Sequence, residues 1–258
     1  MEQDFFGEAK RIVAEADKNS VPVRLMGATA IMMRSSKFSS LLQEKMDRKL
    51  SDLDFMALSR NMEKVIQTLR NLGYEMDRAK EYLMTISGRC IFEHPESKLH
   101  VDVFFDKLAM CHTIDFTKRL TVDPFTISLA DLLLEKMQIV RINEKDIKDV
   151  ILLLREQAVA NTDSDSINEK YVAKLLSKDW GFYYTVTENL KKVKLSLGKY
   201  DALQSEDRID IMGKIDGLLG TIESESKSIG WRMRASIGTK QKWFNDVEEV
   251  PEATQLDS

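Results

Sequence analysis

The sequence predicts an α+β fold, with a mixed sheet and flanking helices followed by an all-helical C-terminal domain. Three observations carry this expectation. Glycine (11) and proline (4) are scarce among 258 residues, which disfavours a turn-punctuated all-β chain and favours long helices. Helical and strand-like hydrophobic periods alternate over residues 1–125, and only helical periods recur from Ser128 onward. The expected organisation is a first domain at 1–125, a helical domain at 126–245 and an acidic tail at 246–258 that is disordered.

The elements follow in order. Phe5, Ala9, Ile12 and Val13 recur at helical spacing, residues 21–26 read as a short buried strand ending at Gly27, and residues 28–33 begin a helix. After a polar stretch, residues 52–58 alternate, with Leu53, Phe55 and Ala57 on one face and Asp52, Asp54 and Met56 on the other. Ser59 is placed to cap a helix striped by Met62, Val65, Ile66 and Leu69, which Gly73 stops. Residues 86–92 and 99–105 flank a turn containing His94 and Pro95 and read as an antiparallel pair. Helices are then expected over 129–142, 144–157, 166–177, 179–197 and 205–226. The connector at 161–168 contains Asp163 and Asp165 but lacks the glycine and frame of a calcium loop, so it reads as helix capping.

Composition bounds the function. No apolar run approaches the roughly 20 residues of a membrane span, and the acidic residues 1–10 do not form a secretory signal. Two cysteines, Cys90 and Cys111, are too few for a disulfide scaffold and read as reduced buried thiols in a cytoplasmic protein. A net charge of −4 excludes an indiscriminate nucleic-acid binder.

One constellation concentrates chemistry. Acid-x-acid pairs alone carry little, because 42 acids in 258 residues produce about seven by chance. Asp52 and Asp54 gain weight from context. Period-two geometry aims both carboxylates to one side of their strand. Asp102 lies mid-strand between Val101 and Val103, where an unpaired carboxylate is costly. Upstream, a strand runs into Gly27-Ala28-Thr29-Ala30 and a helix, a turn whose backbone N–H groups suit phosphate. Three carboxylates beside such a turn form the kind of site that holds two divalent cations for in-line displacement at phosphorus. Oxygen ligands without a histidine–cysteine set favour Mg²⁺ or Mn²⁺ over zinc. His94 and His112 have no ligand spacing, and His100 reads as a packing or hydrogen-bonding residue.

The order Met26-Gly27-Ala28-Thr29-Ala30, Leu50-Ser51-Asp52-Leu53-Asp54-Phe55 and His100-Val101-Asp102-Val103-Phe104 resembles the nucleotidyltransferase superfamily with the polymerase-β-type fold. Within it, the chain is most similar to the abortive-infection toxin type, in which a lysine on a following helix and an Asp-x-x-Asp on the next complete the site. Lys136, and Asp146 with Asp149, match those elements. The resemblance implies that residues 1–125 are the catalytic domain and that Asp52, Asp54 and Asp102 hold Mg²⁺ or Mn²⁺. It assigns the nucleotide to Gly27, Ala28, Thr29, Arg48 and Lys136, and gives Asp149, ahead of Asp146, the task of orienting Lys136 or the acceptor. Ala28 stands where glycine or serine is commoner, and the stretch from Gly27 to Asp52 is longer than usual for the family.

The implied reaction transfers a nucleoside monophosphate from an NTP such as ATP to an acceptor hydroxyl, releasing pyrophosphate. The implied acceptors are an RNA end such as tRNA, a protein hydroxyl in a toxin–antitoxin setting with an antitoxin partner, or a small molecule. The alternative is a non-catalytic nucleotide- or partner-binding regulatory protein that retains the fold. Residues 227–244 stand apart: Lys227, Arg232, Arg234, Lys240 and Lys242 are interleaved with Trp231, Trp243 and Phe244, without an acid. Such a run suits a nucleic-acid strand or a solvated face beside the acidic tail. Trp180, Phe182, Tyr183 and Tyr184 read as helical-domain core.

Overall fold

The computed structural model describes residues 4–38, 46–47, 49–76 and 88–247. Arg48, assigned above to the nucleotide, lies outside the described residues, as does the tail from 248 onward. Helix α1 (Phe5–Lys18) is capped by Asp4, whose carboxylate accepts the Gly7 N–H at 2.8 Å, and it buries Ala9, Ile12, Val13 and Ala16. The wholly buried strand β1 (Arg24–Met26) runs directly into α2 (Gly27–Arg34). In strand β2 (Asp52–Ala57) Leu53, Phe55 and Ala57 are fully buried and Asp52 is exposed, as the alternation predicts, but Met56, on the face of Asp52 and Asp54, is fully buried as well.

Ser59 does not cap the next helix. Its backbone N–H donates to Asp106 Oδ1 at 3.0 Å, Ser59–Asn61 form a 3₁₀ turn, and α3 (Met62–Asn71) starts without a side-chain cap. Gly73 ends α3 with φ +92°, the left-handed stop that glycine allows. Strands β3 (Glu75–Met76), β4 (Arg89–Glu93) and β5 (His100–Phe105) follow, then a small hairpin of β6 (Lys107–Ala109) and β7 (Thr113–Asp115) that periodicity did not reveal.

Sheet order among the described strands is β1-β2-β5-β4-β3. The β2–β5 pair is parallel and the other pairs are antiparallel, including β4–β5 as expected. This register sets Asp54 opposite Asp102, Asp52 opposite His100 and Met26 opposite Asp54. The chain then passes along the outer edge of β1: Leu25 donates to the Phe125 carbonyl at 3.0 Å and accepts from Ile127 at 2.9 Å. The segment that leads into the helical part is thereby tied to the sheet.

That helical part comprises α4 (Leu129–Met137), α5 (Glu144–Glu156), α6 (Glu169–Leu176), α7 (Trp180–Ser196), α8 (Ser205–Ser224) and α9 (Ile229–Ile237). It is not all-helical. Strands β8 (Ala158–Ala160) and β9 (Ser166–Asn168) pair in parallel between α5 and α6. Residues 166–168, expected to open a helix, are extended because Ile167 fills the core and Asn168 delays the helix start by capping α6, accepting the Tyr171 N–H at 3.0 Å. The connector therefore does cap a helix, through Asn168, while Asp163 and Asp165 pair with Arg119 and Arg34. Cys90 and Cys111 are free and buried. Trp180 and Phe182 are buried, as expected of core residues. No helix among the described residues is long and apolar enough to cross a membrane.

One contiguous hydrophobic core runs from Ala9 to Ile222. Beside it sits a buried polar knot. Arg119 lies 2.9 Å from the fully buried Asp131 and 2.9 Å from Asp163, and its guanidinium stacks 3.5 Å over the Tyr171 ring. The Tyr171 hydroxyl donates to Asp131 at 2.8 Å. Burial pushes the Asp131 carboxyl upward, and Arg119 opposes that shift. Arg119→Met keeps the stem but leaves Asp131 without its cation, and it is expected to cost about 3 kcal/mol. Urea denaturation should show a lowered midpoint at unchanged slope; a midpoint equal to the parent's would mean that Asp131 needs no counter-charge.

Candidate functional site

The site begins at the β1–α2 turn. Gly27 has φ +73°, and a Cβ built there would lie 2.5 Å from Asp54 Oδ2. Glycine is needed twice over, for the backbone conformation and for the approach of the carboxylate. The Gly27 N–H donates at 3.0 Å to Oε1 of Glu135, a residue only 4% exposed on α4. Thr29 donates its hydroxyl to the Asp52 carbonyl at 3.3 Å, which fastens α2 to the start of β2. Ala28 is half-buried between them.

Across the parallel register, Asp54 and Asp102 point to the same face of adjacent strands, and the exposed Asp52 lies on that face one strand repeat away. Burial, followed by the charges of Asp52 and Asp102, lifts the Asp54 carboxyl well above the ordinary carboxylate range, against the pull of Lys136 and Arg89. Glu135 is pushed up to about 8, first by burial; Lys136 counteracts the shift and Asp54 adds to it. Its Oε2 is buried without a hydrogen-bond partner among the described residues.

Two cations answer this charge. Lys136 Nζ, largely buried, lies 3.3 Å from Asp146 Oδ1 and 3.1 Å from Asp149 Oδ2. Burial opposes its charge, but Asp149, Asp146 and Glu135 outweigh that and raise its pKa. Both Asp146 and Asp149 thus hold Lys136. Arg89, at the start of β4, forms an ion pair through Nη2 with Asp102 Oδ2, with its guanidinium 5.1 Å from the centre of the Phe104 ring.

The structure therefore brings Gly27, Thr29, Asp52, Asp54, Asp102, Lys136, Asp146 and Asp149 into one region. Sequence reasoning missed Glu135 and Arg89. Glu135 left a signal, being an acid inside a run of leucines that the helix buries entirely. Arg89 left none, because only the strand register places it beside Asp102. His100 is exposed, its Nε2 3.8 Å from Glu93 Oε2, beyond hydrogen-bond distance. His112 is buried, stacked on Phe182, paired with Thr185 at 2.8 Å and pushed down to about 4 by burial, so it is a neutral packing residue near neutral pH. A pocket of about 330 Å³ lies elsewhere, lined by residues that include Cys111, His112, Asp179, Arg234 and Trp243.

The donor chemistry suits a hard divalent cation. It consists of carboxylates, one of which is driven toward protonation first by burial and then by the charges of its acidic neighbours. The geometry is not a closed cage: no group of three or more acids, histidines or cysteines among the described residues stands at metal-holding distances. Compared with known proteins, the chain matches no family model, and no curated protein matches its sequence.

Two outcomes follow from this geometry. Gly27→Ala forces a Cβ against Asp54 in a left-handed backbone and is expected to destabilise the chain by about 1–2 kcal/mol; a melting temperature equal to the parent's would contradict the close approach. Glu135, with a folded pKa above its ordinary 4.5, binds more protons folded than unfolded. Its contribution is harmless below 4.5 and increasingly unfavourable as pH rises toward about 8. Glu135→Gln, whose amide oxygen can still accept from Gly27, should show a smaller fall in melting temperature between those limits than the parent; an equal fall would count against the raised pKa.

Proposed function

We propose that the chain is a metal-dependent nucleotidyltransferase that moves a nucleoside monophosphate from an NTP to an acceptor hydroxyl. The observation that carries this reading is the register of Asp54 against Asp102 beside the Gly27 turn, with Asp52 on the same face of β2. The resemblance of the motif order supports it. The acceptor oxygen attacks the α-phosphorus in line, the bond from that phosphorus to the β-bridging oxygen breaks, and pyrophosphate leaves.

Asp52, Asp54 and Asp102 would hold Mg²⁺ or Mn²⁺, which supplies positive charge to the phosphates and makes the acceptor hydroxyl more acidic. Lys136, kept charged and fixed by Asp146 and Asp149, stabilises negative charge on the departing pyrophosphate. Thr29 anchors the turn to β2 through its hydroxyl and leaves phosphate binding to the backbone. The Gly27 N–H is engaged by Glu135, which makes Glu135 a positioning residue for that turn. The helical part supplies acceptor specificity, and the acceptor class is an RNA end, a protein hydroxyl or a small molecule.

The second reading, a regulatory protein that binds without turnover, is favoured by one observation: Arg89 occupies Asp102. One experiment separates the two. The chain is incubated with each α-labelled NTP, Mg²⁺ and a cell extract, beside Asp54→Ala and a chelator control. Under the first reading, label passes to an acceptor from at least one NTP, and transfer falls at least about 10²-fold in Asp54→Ala. Label transfer from none of the four NTPs, or transfer unaffected by Asp54→Ala, would overturn it.

A further inference from the structure

The basic, aromatic run at 227–244 is not used by the proposed chemistry, and its fold differs from what its composition suggests. Its rings are turned inward. Trp231 stands edge-on to Tyr183 at 5.0 Å, Trp243 edge-on to Tyr184 and Phe244 at 5.2 Å each, and Tyr184 stacks on Trp180 at 5.2 Å. Arg234 lies over the Trp180 ring and donates to the carbonyls of Gly238 and Gln241, each at 2.7 Å. These contacts fold the run back onto the start of α7, where the Trp243 carbonyl would lie 2.4 Å from a Cβ on Gly181. A base-stacking platform needs exposed rings, and every large hydrophobic residue on the described surface is aliphatic or methionine.

What α9 presents outward is a stripe of Ile229, Met233 and Ile237, which are 74%, 68% and 43% exposed. Their spacing of four residues aligns them as one ridge along the helix. The small residues Gly230 and Ser236 and the exposed Arg232 lie on the same helix, and the exposed Lys240 ends the 3₁₀ turn that follows it. Helix α9 buries no residue of its own. Lys227 and Arg234 are engaged by backbone carbonyls and Lys242 by Asp246, so Arg232 and Lys240 are the exposed cations that make the ridge complementary to an apolar face with acidic margins.

We infer that the outer face of α9 docks an acidic amphipathic helix of a partner protein, with the ridge of Ile229, Met233 and Ile237 seated in its groove and Arg232 and Lys240 against its carboxylates. Charge selects this occupant. A second copy of the chain would set Arg232 and Lys240 against their own counterparts. A lipid surface would call for a longer apolar face with aromatic anchors at its boundary. The surface is independent of the nucleotidyltransferase reading, since none of its residues belongs to the carboxylate site.

The test uses the full chain and a fluorescent designed peptide with leucines on one helical face and glutamates elsewhere, read by anisotropy. Saturable binding is expected that weakens with added salt. It should weaken at least about tenfold in Met233→Asp with Ile237→Asp, as for loss of central anchors at an interface. Leu195→Asp, equally exposed on α7, should leave binding unchanged. Met233→Ser with Ile237→Ser gives the same reading where the aspartates unfold the helix. Binding no tighter than that of a control peptide with lysines in place of the glutamates, or binding that survives both double variants, overturns the inference. Capture of a single-stranded RNA or a phosphatidylserine vesicle in place of the peptide, or self-association abolished by the same variants, also overturns it.

Discussion

Asp54 faces Asp102 across one strand spacing and presses on the Gly27 turn on its other side, so negative charge has nowhere to spread within the sheet. Two like charges about 5 Å apart repel by about 3 kcal/mol at an effective dielectric constant near 20. The surrounding elements are arranged against that repulsion. Gly27 lacks the Cβ that would push Asp54 away, Arg89 neutralises Asp102 from β4, and Lys136 is delivered from α4 with its charge secured by two aspartates on α5. Asp54 itself answers by holding its proton more tightly.

The parts before and after residue 125 consequently share one site. Glu135 and Lys136, neighbours on α4, reach respectively to the glycine turn and to α5. Helix α2 packs against β1 and β2 on one side and against α4 and α5 on the other. Residues 125–127 continue the hydrogen bonding at the edge of β1. The Glu135–Gly27 bond is thus one of several ties between the two parts, beside the hydrogen bonds of residues 125–127 and the shared core.

Much of this arrangement was legible in the sequence because it rests on local periods. The alternation around Asp52 and Asp54, the strand bearing Asp102, the antiparallel β4–β5 pair and the stop at Gly73 all follow from spacing over a few residues. The motif order also points to Lys136, Asp146 and Asp149, and the structure brings them together. What escaped depends on long-range pairing. Arg89 is meaningful only when β4 lies beside β5, and Ser59 lost its capping role to an aspartate 47 residues away. Residues 166–168 read as helix because three residues cannot display a period, while burial of Ile167 decided their extended form. The run at 227–244 is open in the sequence between a nucleic-acid strand and a solvated face, because composition does not say which way a side chain turns.

The Arg89–Asp102 pair has a consequence for how the proposed site would load. Arg89 is 27% exposed at its side chain and Asp102 only 9%, so the arginine can regain water on leaving while the aspartate cannot. A monovalent, rim-facing partner of this kind is a weaker stabiliser of a buried carboxylate than a divalent ion bound also by Asp52 and Asp54. In the proposed enzyme, such an ion would lower the repulsion at Asp54 as well as at Asp102, whereas Arg89 pairs directly with Asp102. Under the nucleotidyltransferase reading, the guanidinium over Phe104 keeps the cluster folded before loading, and an incoming triphosphate gives the released arginine a second anionic partner. The same pair, in a protein that never binds metal, would instead be a permanent cap on the site, and that difference is the physical content of the choice between enzyme and regulator.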